Sequence, residues 1–245
     1  MTPVIDSFKS FLGSLKFVMK YKLYVYFLPA IILAVLFYLS FKGGQTISGS
    51  MAFMEDWWLI GSIIEGMGNG IKALAFLTFE FVILVLLTPI NSFFAEKVQE
   101  DLTGVKAKFD FKQFASSMFR AIRIFAIAFF TEIALLIVIW ILSFFLGDNF
   151  YKIVTFVVSS FFIGFSFYDF GLELDGKNTR KSWQFAKENK LLCLIAGLIF
   201  SLAIYIPEES GLMLLFLVSI SFVPHMLTIG STQLYFEKYS QKVPN

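Results

Sequence analysis

Hydrophobic and polar positions along this chain form long blocks rather than the short alternation of a soluble helix or strand. Six blocks are free of charge or contain a single ionisable residue, namely 23–41, 73–95, 124–147, 153–168, 191–207 and 210–236. A helix of 19 residues, the length of the first block, is about 28 Å long, close to the roughly 30 Å hydrocarbon core of a bilayer. The pattern therefore predicts an all-α integral membrane protein with about six hydrophobic helical segments.

Two of these segments, residues 153–168 and 191–207, are shorter than the others. A short segment spans by thinning the bilayer or by letting flanking charges snorkel, or it enters the membrane and returns. Backbone that turns back at membrane depth has to be buried in protein or line a watery cavity. We therefore expect six segments, some of which are re-entrant or only partly penetrating.

The N-terminus does not read as a cleavable signal peptide, because no short apolar region ends in a small-residue cleavage site. Apolar residues instead recur at helical spacing with lysines among them: Ile5, Phe8, Phe11, Leu12, Leu15, Val18 and Met19, with Lys9, Lys16, Lys20 and Lys22. This pattern predicts an amphipathic helix over residues 1–22, lying on an anionic leaflet or packed on its own protein. A single membrane domain over residues 1–245 follows, with the hydrophobic segments in 23–236 and a tail in 237–245.

Lysine and arginine positions give this domain an orientation. Of 20 such residues, 17 lie in the N-terminal stretch, in the connections after the second and fourth segments, and in the tail, whereas the alternate connections hold three. Cytoplasmic loops are the ones enriched in Lys and Arg, so both termini are predicted to be cytoplasmic. The first of these connections starts with residues 93–102, which read as a helical continuation of the second segment ending at Gly104.

Composition and single residues exclude several classes of function. The chain is 58% hydrophobic and 16% charged and has 33 Phe, whereas soluble chains are about 45–50% apolar and roughly 25% charged. The net charge is only +2, which argues against nucleic-acid binding because phosphate binding needs a dense basic face. One cysteine, Cys193, and one histidine, His225, leave no disulfide framework and no His-rich or Cys-based metal site. No phosphate-binding loop or nucleophile elbow is present, so neither an enzyme nor a cofactor is expected.

Three ionisable residues lie inside the hydrophobic segments. Glu80 is about 10 Å into the second segment, Glu132 is about 12 Å into the third, and His225 follows Pro224 in the last. A charge at mid-helix costs about 2.5–3.5 kcal/mol on insertion scales, so such residues usually face a partner or water. The glutamates are candidates for proton coupling or for lining a pathway, or they are protonated, bonded between helices or reaching the headgroups. His225 either lines a cavity or has a hydrogen-bonded packing role.

Basic residues near the predicted cytoplasmic surface are the candidate anion contacts. Lys16 on one side and Arg120 and Arg123 on the other would raise the local concentration of an anion. The alternative is that these residues only determine topology. We take Lys16, Arg120 and Arg123 as the candidate substrate-binding residues.

Three motifs carry a resemblance to a known family. They are Thr88-Pro89-Ile90-Asn91 with Ala95-Glu96-Lys97-Val98 and Leu102-Thr103-Gly104, then Phe167-Tyr168-Asp169-Phe170, and last Ile206-Pro207, Pro224 and Gly230-Ser231-Thr232. In this order and spacing the chain resembles the CysZ family of sulfate permeases, which is related to the etoposide-induced membrane proteins. The family's Gly-Leu-Arg near the start reads Gly13-Ser14-Leu15-Lys16 here, which displaces the basic residue by one position.

The resemblance implies a homo-oligomeric protein of the bacterial inner membrane that admits sulfate, passively or with protons. It also implies a fold that mixes spanning helices with helices that enter the bilayer only partly. The alternative is a non-transporting membrane scaffold, as the eukaryotic relatives suggest. A transporter needs a continuous polar path between its helices, whereas a scaffold can pack solidly with Phe.

Overall fold

The computed structural model describes residues 3–28, 30–32, 69–104, 111–209 and 212–240. Within these ranges the chain is helical and contains no strand, as the sequence predicts. The elements are α1 (Pro3–Lys20), a 3₁₀ helix (Leu23–Phe27), α2 (Asn69–Thr103), α3 (Phe111–Leu146), α4 (Asp148–Leu174), α5 (Thr179–Glu188), α6 (Lys190–Glu209) and α7 (Met213–Lys238). An all-α membrane fold is confirmed.

Three described stretches are long and apolar enough to cross a membrane: Met118–Leu146 in α3, Asn149–Leu174 in α4 and Leu214–Lys238 in α7. Thr179–Glu188 and Lys190–Ile206 form a fourth if the pair, which is bent by 90°, counts as one span. Most of the first predicted segment, 23–41, lies outside the described residues. The count of six segments therefore stays a prediction.

The fourth predicted segment is longer as a helix than its uncharged core suggests. Residues 153–168 lie inside α4, which has 27 residues because polar residues at both ends continue the helix. A helix of that length is about 40 Å long and exceeds the hydrocarbon core of a bilayer. The short hydrophobic block thus belongs to a helix with the length of a full span.

Glycines close two helix ends, and the sequence predicts the first of them, at Gly104. α2 continues past the hydrophobic segment to Thr103, and Gly104 follows with a φ of 70°, its N–H donating to the Glu100 carbonyl at 2.9 Å. This confirms the predicted helical continuation of the second segment. Gly147, with a φ of 84°, stands between α3 and α4 and lets the chain reverse within one residue. The two helices consequently pack side by side.

The tightest packing joins α4 to α6 through two glycines. A Cβ atom on Gly164 would lie 1.7 Å from the Cys193 carbonyl oxygen, and one on Gly197 would lie 1.5 Å from the Ser160 carbonyl oxygen. The Ser160 and Ser201 hydroxyls, 3.2 Å apart, share a hydrogen bond across the same contact. Small residues at such a crossing let helix backbones touch, which stabilises helix pairs in lipid, where apolar burial contributes little.

α7 lies at the centre of the described helices and packs against α1, α2, α4 and α6. Its buried hydroxyls donate mainly to carbonyls of its own preceding turn, as Thr228 does to Pro224 at 2.9 Å. Ser231 also donates to the Phe167 carbonyl of α4 at 2.9 Å, and Ser10 of α1 donates to the Gly230 carbonyl. The polar side chains of α7 thus hold neighbouring helices without exposing a charge to lipid.

Candidate functional site

Arg120 makes more polar contacts than Lys16 or Arg123, the other two predicted anion contacts. Its Nη2 lies 3.0 Å from Asp169 Oδ1 of α4 and 3.0 Å from Ser182 Oγ of α5. Its Nη1 donates to the Lys177 carbonyl, and its Nε lies 3.9 Å from Glu173 Oε2. We call Arg120, Asp169, Glu173, Lys177 and Ser182 the arginine cluster. It joins α3 to α4 and α5, and the Arg120 and Asp169 side chains are 18% and 8% exposed.

Within this cluster the charge of Arg120 is already balanced. Asp169 accepts from the guanidinium at hydrogen-bond distance, so an arriving anion would have to compete with a carboxylate of the protein. The arrangement stabilises the junction of three helices as it stands. The anion contact predicted for Arg120 is untested and stays a prediction.

Lys16 and Arg123 are placed differently from Arg120. Both side chains are exposed, Lys16 on α1 and Arg123 on α3. Neither has an ion pair with another described residue. α1 packs against α7 and α6, whereas α3 packs against α4 and α2. Their predicted anion contact is likewise untested, although both amino-acid side chains are open to a ligand from solution.

Glu132 is fully buried in α3, within the stretch long enough to span the membrane. The Ser159 hydroxyl of α4 faces its carboxyl group. Neither carboxyl oxygen makes a hydrogen bond of good geometry with the described residues. Of Glu132 and His225, whose side chains the structure describes, Glu132 therefore has the more unsatisfied bonding capacity.

His225 is buried, hydrogen-bonded and packed against aromatic rings, and the pathway role that the sequence left open stays a prediction. Its Nδ1 lies 2.7 Å from Asn91 Oδ1 of α2, so the imidazole N–H donates to the amide oxygen. The ring stacks on Phe27 at 5.1 Å and meets Phe94 edge-on at 5.2 Å. His225 Nε2 and Asn91 Nδ2 have no partner among the described residues. Glu80, the remaining candidate, lies in the part of α2 whose side chains the structure does not describe.

A second polar junction lies at the ends of α4 and α7. Asp175 Oδ2 accepts from the Tyr235 hydroxyl at 2.8 Å and from Lys177 Nζ at 3.1 Å, and its Oδ1 accepts from Ser240 at 3.0 Å. Partial burial acts to raise the pKa of the Asp175 carboxyl, but the three hydrogen bonds outweigh burial and hold the pKa below its ordinary value. The carboxylate is thereby kept charged and ties the two helix ends together.

A small cavity lies between α1, α4, α6 and α7. It measures about 10 Å³ and is lined by Ser7, Ser10, Tyr168, Gly230 and Ser231 together with apolar side chains. That volume is at the lower limit for a single water molecule. Nothing the size of a tetrahedral oxyanion fits there in this conformation.

The family profile described as Sulfate transporter CysZ/Etoposide-induced protein 2.4 matches residues 10–218 of the chain. The chain belongs to this family. No curated protein and no solved structure matches it. The resemblance drawn from the sequence motifs is thus confirmed, and the matched range runs from the middle of α1 to the first part of α7.

Two residues of the family motifs have structural roles that sequence reasoning did not assign. Asn91, at the end of the Thr-Pro-Ile-Asn motif, is the partner of His225, and Asp169, in the Phe-Tyr-Asp-Phe motif, is the partner of Arg120. For Asn91 the available signal was a polar residue inside an apolar segment, which usually has a partner, whereas Asp169 directly follows the segment 153–168. Their partners are 134 and 49 residues away in sequence, so no local pattern points to them.

Proposed function

We propose that this protein moves an inorganic anion, sulfate first, across the inner membrane of a bacterium. The observation that carries the proposal is membership of a family named for sulfate transport, over 10–218 of the chain. Membrane-spanning helices with basic residues at one end are consistent with it, because such residues concentrate an anion at an entrance. Movement is passive or coupled to protons, with Glu80 and Glu132 as the candidate carboxylates.

In this proposal Lys16 and Arg123 attract the anion at the surface, because their side chains are exposed. Arg120 contributes only if Asp169 releases it, so its part depends on a rearrangement of the arginine cluster. His225 supports α2 against α7 rather than lining a route, because its ring is enclosed by Phe27 and Phe94. The assembly is a homo-oligomer in a lipid bilayer.

Uptake of radiolabelled sulfate into proteoliposomes tests the proposal directly. We expect uptake above that of empty vesicles, a reduced rate for Lys16→Gln and Arg123→Gln, and an unchanged rate for Lys187→Gln. Lys187 is a matched control because it is an exposed lysine on α5. Absence of uptake by a correctly folded protein would refute sulfate transport.

The single cysteine makes the proposed orientation testable as well. Cys193 is buried, so a cysteine introduced at an exposed position can be labelled selectively. We expect a membrane-impermeant maleimide to label Asn149→Cys on intact spheroplasts, and to label Lys187→Cys only after lysis. The opposite pattern would place the termini outside.

A non-transporting scaffold is the second candidate, and one observation favours it. The cavity between α1, α4, α6 and α7 is water-sized, and the surrounding helices are packed with aromatic side chains. In this second candidate function, the protein holds other components together in the membrane and moves no solute. Failure of sulfate uptake together with a stable, specifically assembled protein would select the scaffold.

A further inference from the structure

α1 is held at both ends by ion pairs to other helices. Near its start, Asp6 pairs with Lys238, the last residue of α7. At its end, Lys20 Nζ lies 3.0 Å from Asp101 Oδ1 in the last turn of α2, and Tyr21 donates to the same carboxylate. α1 therefore runs from the C-terminal end of α7 to the C-terminal end of α2.

These two helix ends lie on the same side of the protein. Asn91 of α2 and His225 of α7 are hydrogen-bonded about three and a half turns before each helix ends, and Phe94 and Met226, the next residues of the contact toward the two C-termini, belong to one core cluster. The stretch Leu214–Lys238 is long and apolar enough to cross a membrane, so its end lies near a membrane surface. α1, which passes there, lies near that surface as well.

One side of α1 faces the protein and a second apolar side does not. Ser14, Phe17 and Val18 are buried against the neighbouring helices. Five large apolar side chains recur every three or four residues on another side of α1, where they are between 47% and 69% exposed. We call these residues the apolar stripe: Ile5, Phe8, Leu12, Leu15 and Met19.

Lysines border the apolar stripe. Lys9 and Lys16 are exposed and seven residues apart, so they lie on one edge of the stripe, about two turns from each other. The one acid of α1, Asp6, is engaged by Lys238. An apolar face bordered by lysines is typical of helices that lie between the headgroups and the acyl chains of an anionic leaflet.

We propose that the outer side of α1 is a binding surface for acidic phospholipids. The apolar stripe enters the boundary of the acyl chains, and Lys9 and Lys16 attract the phosphate headgroups beside it. The sequence left open whether this helix lies on lipid or packs on its own protein. In this proposal it does both, with different sides, and the lipid helps to hold α1 across the ends of α2 and α7.

This surface is separate from the proposed transport of sulfate, because a membrane scaffold can bind lipid in the same way. Lys16 is also a candidate contact for the transported anion, so the tests of the surface contain no sulfate and measure lipid contact only. Their failure would leave the transport proposal standing, and failure of sulfate uptake would leave the lipid surface standing.

Fluorescence quenching by spin-labelled lipids tests the apolar stripe. Because Cys193 is buried, a fluorophore on Leu12→Cys reports on the stripe, and one on Gln184→Cys reports on the exposed side of α5. The full chain is placed in phosphatidylcholine vesicles that contain lipid with a nitroxide on the acyl chain near the headgroup. We expect quenching of Leu12→Cys several-fold stronger than that of Gln184→Cys.

A probe on Leu12→Cys that lipid does not quench would overturn the proposal. If that probe is also protected from a water-soluble quencher, a second copy of the chain covers the stripe instead of lipid. Met19→Cys, at the other end of the stripe, provides a second position for the same measurement, and we expect it to be quenched as Leu12→Cys is.

A comparison of headgroups tests the lysines. The nitroxide is carried either by phosphatidylglycerol or by phosphatidylcholine, at the same fraction of the lipid. We expect phosphatidylglycerol to quench Leu12→Cys more strongly, and the ratio of the two to fall toward one when Lys9→Gln and Lys16→Gln are added. Lys187→Gln with Lys190→Gln, a pair of exposed lysines elsewhere, should keep the ratio unchanged. Equal quenching by the two lipids, or equal loss in both lysine pairs, would overturn the preference for acidic lipid.

Discussion

α3 and α7 are both long and apolar enough to span a membrane, but they differ in what surrounds them. The most hydrophobic window of α3 is 33% buried inside the protein, against 72% for α7. α3 is nevertheless the more hydrophobic of the two. α7 instead carries buried hydroxyls and the buried His225. In lipid the most apolar helix is the outer one, because there is little gain in removing apolar side chains from a hydrocarbon solvent.

The inner helices should tolerate added volume least of all. In Gly197→Leu, the Cβ atom alone would overlap the Ser160 carbonyl at 1.5 Å, so α4 and α6 must separate. We expect a loss of stability greater than the about 1–3 kcal/mol of ordinary overpacking, measured as a fall in Tm or loss of the folded protein in detergent.

Gly13→Ala is the control for this variant. Gly13 lies in α1 and a Cβ there meets nothing within 4 Å, so the substitution should be neutral or stabilising by up to about 1 kcal/mol. A Gly197→Leu protein that melts with the unaltered one would show that α4 and α6 are not in backbone contact.

Substitution of Arg120, which holds the outer helix α3 to α4, should give the next largest loss of stability. Arg120→Gln leaves Asp169 buried without its partner, and breaking a buried ion pair costs about 3–5 kcal/mol. Arg123→Gln, an exposed arginine one turn away on α3, should change the free energy of unfolding by less than about 0.5 kcal/mol. Denaturation of both variants in detergent compares them, and equal losses would contradict the burial difference.

Substitution in the buried pair of His225 and Asn91 should give a smaller loss of stability. His225→Phe removes the bond to Asn91 and should cost about 1–2 kcal/mol, in the range of hydrogen bonds between membrane helices. Adding Asn91→Leu should recover part of that loss, since neither polar group is then left unpaired. A double variant that is as unstable as the sum of the two single ones would show that the two residues act independently.

A substitution on the outward face of α3 should change the stability least. Phe145 is 84% exposed, and Phe145→Leu replaces one apolar side chain by another in contact with detergent or lipid. We expect a change in Tm within experimental error, corresponding to less than about 0.5 kcal/mol. A large fall in Tm would mean that another part of the protein covers this face.

Features governed by local sequence were predictable, and features governed by distant partners were not. The end of α2 at Gly104 followed from a glycine placed after an amphipathic run, because helix C-termini favour a residue with positive φ. The placement of Glu132 and His225 within apolar helices followed from their positions in the sequence, whereas their burial was only one of the alternatives left open. The pairing of Arg120 with Asp169 could not be predicted in this way. A count of basic residues treats every arginine alike and does not show which one has a carboxylate partner.

The site was harder to predict than the fold for the same reason. Ser159 is an ordinary residue of an apolar run, and only the packing of α4 on α3 brings it to Glu132. The lengths of the helices were also underestimated where charged residues continue them, as at both ends of residues 153–168. A search for uncharged residues finds the part of a helix that suits lipid, whereas hydrogen bonding determines where the helix ends.

The glycine contact between α4 and α6 has a mechanical consequence. Because the two backbones touch, neither helix can slide or rotate on the other without a clash of main-chain atoms. The pair therefore moves as one rigid body, and α7, which packs on both, is part of its support. Any opening motion among the described helices has to take place elsewhere. The position of α3 depends on two points, the single residue Gly147 that joins it to α4 and the Arg120 contacts near its other end.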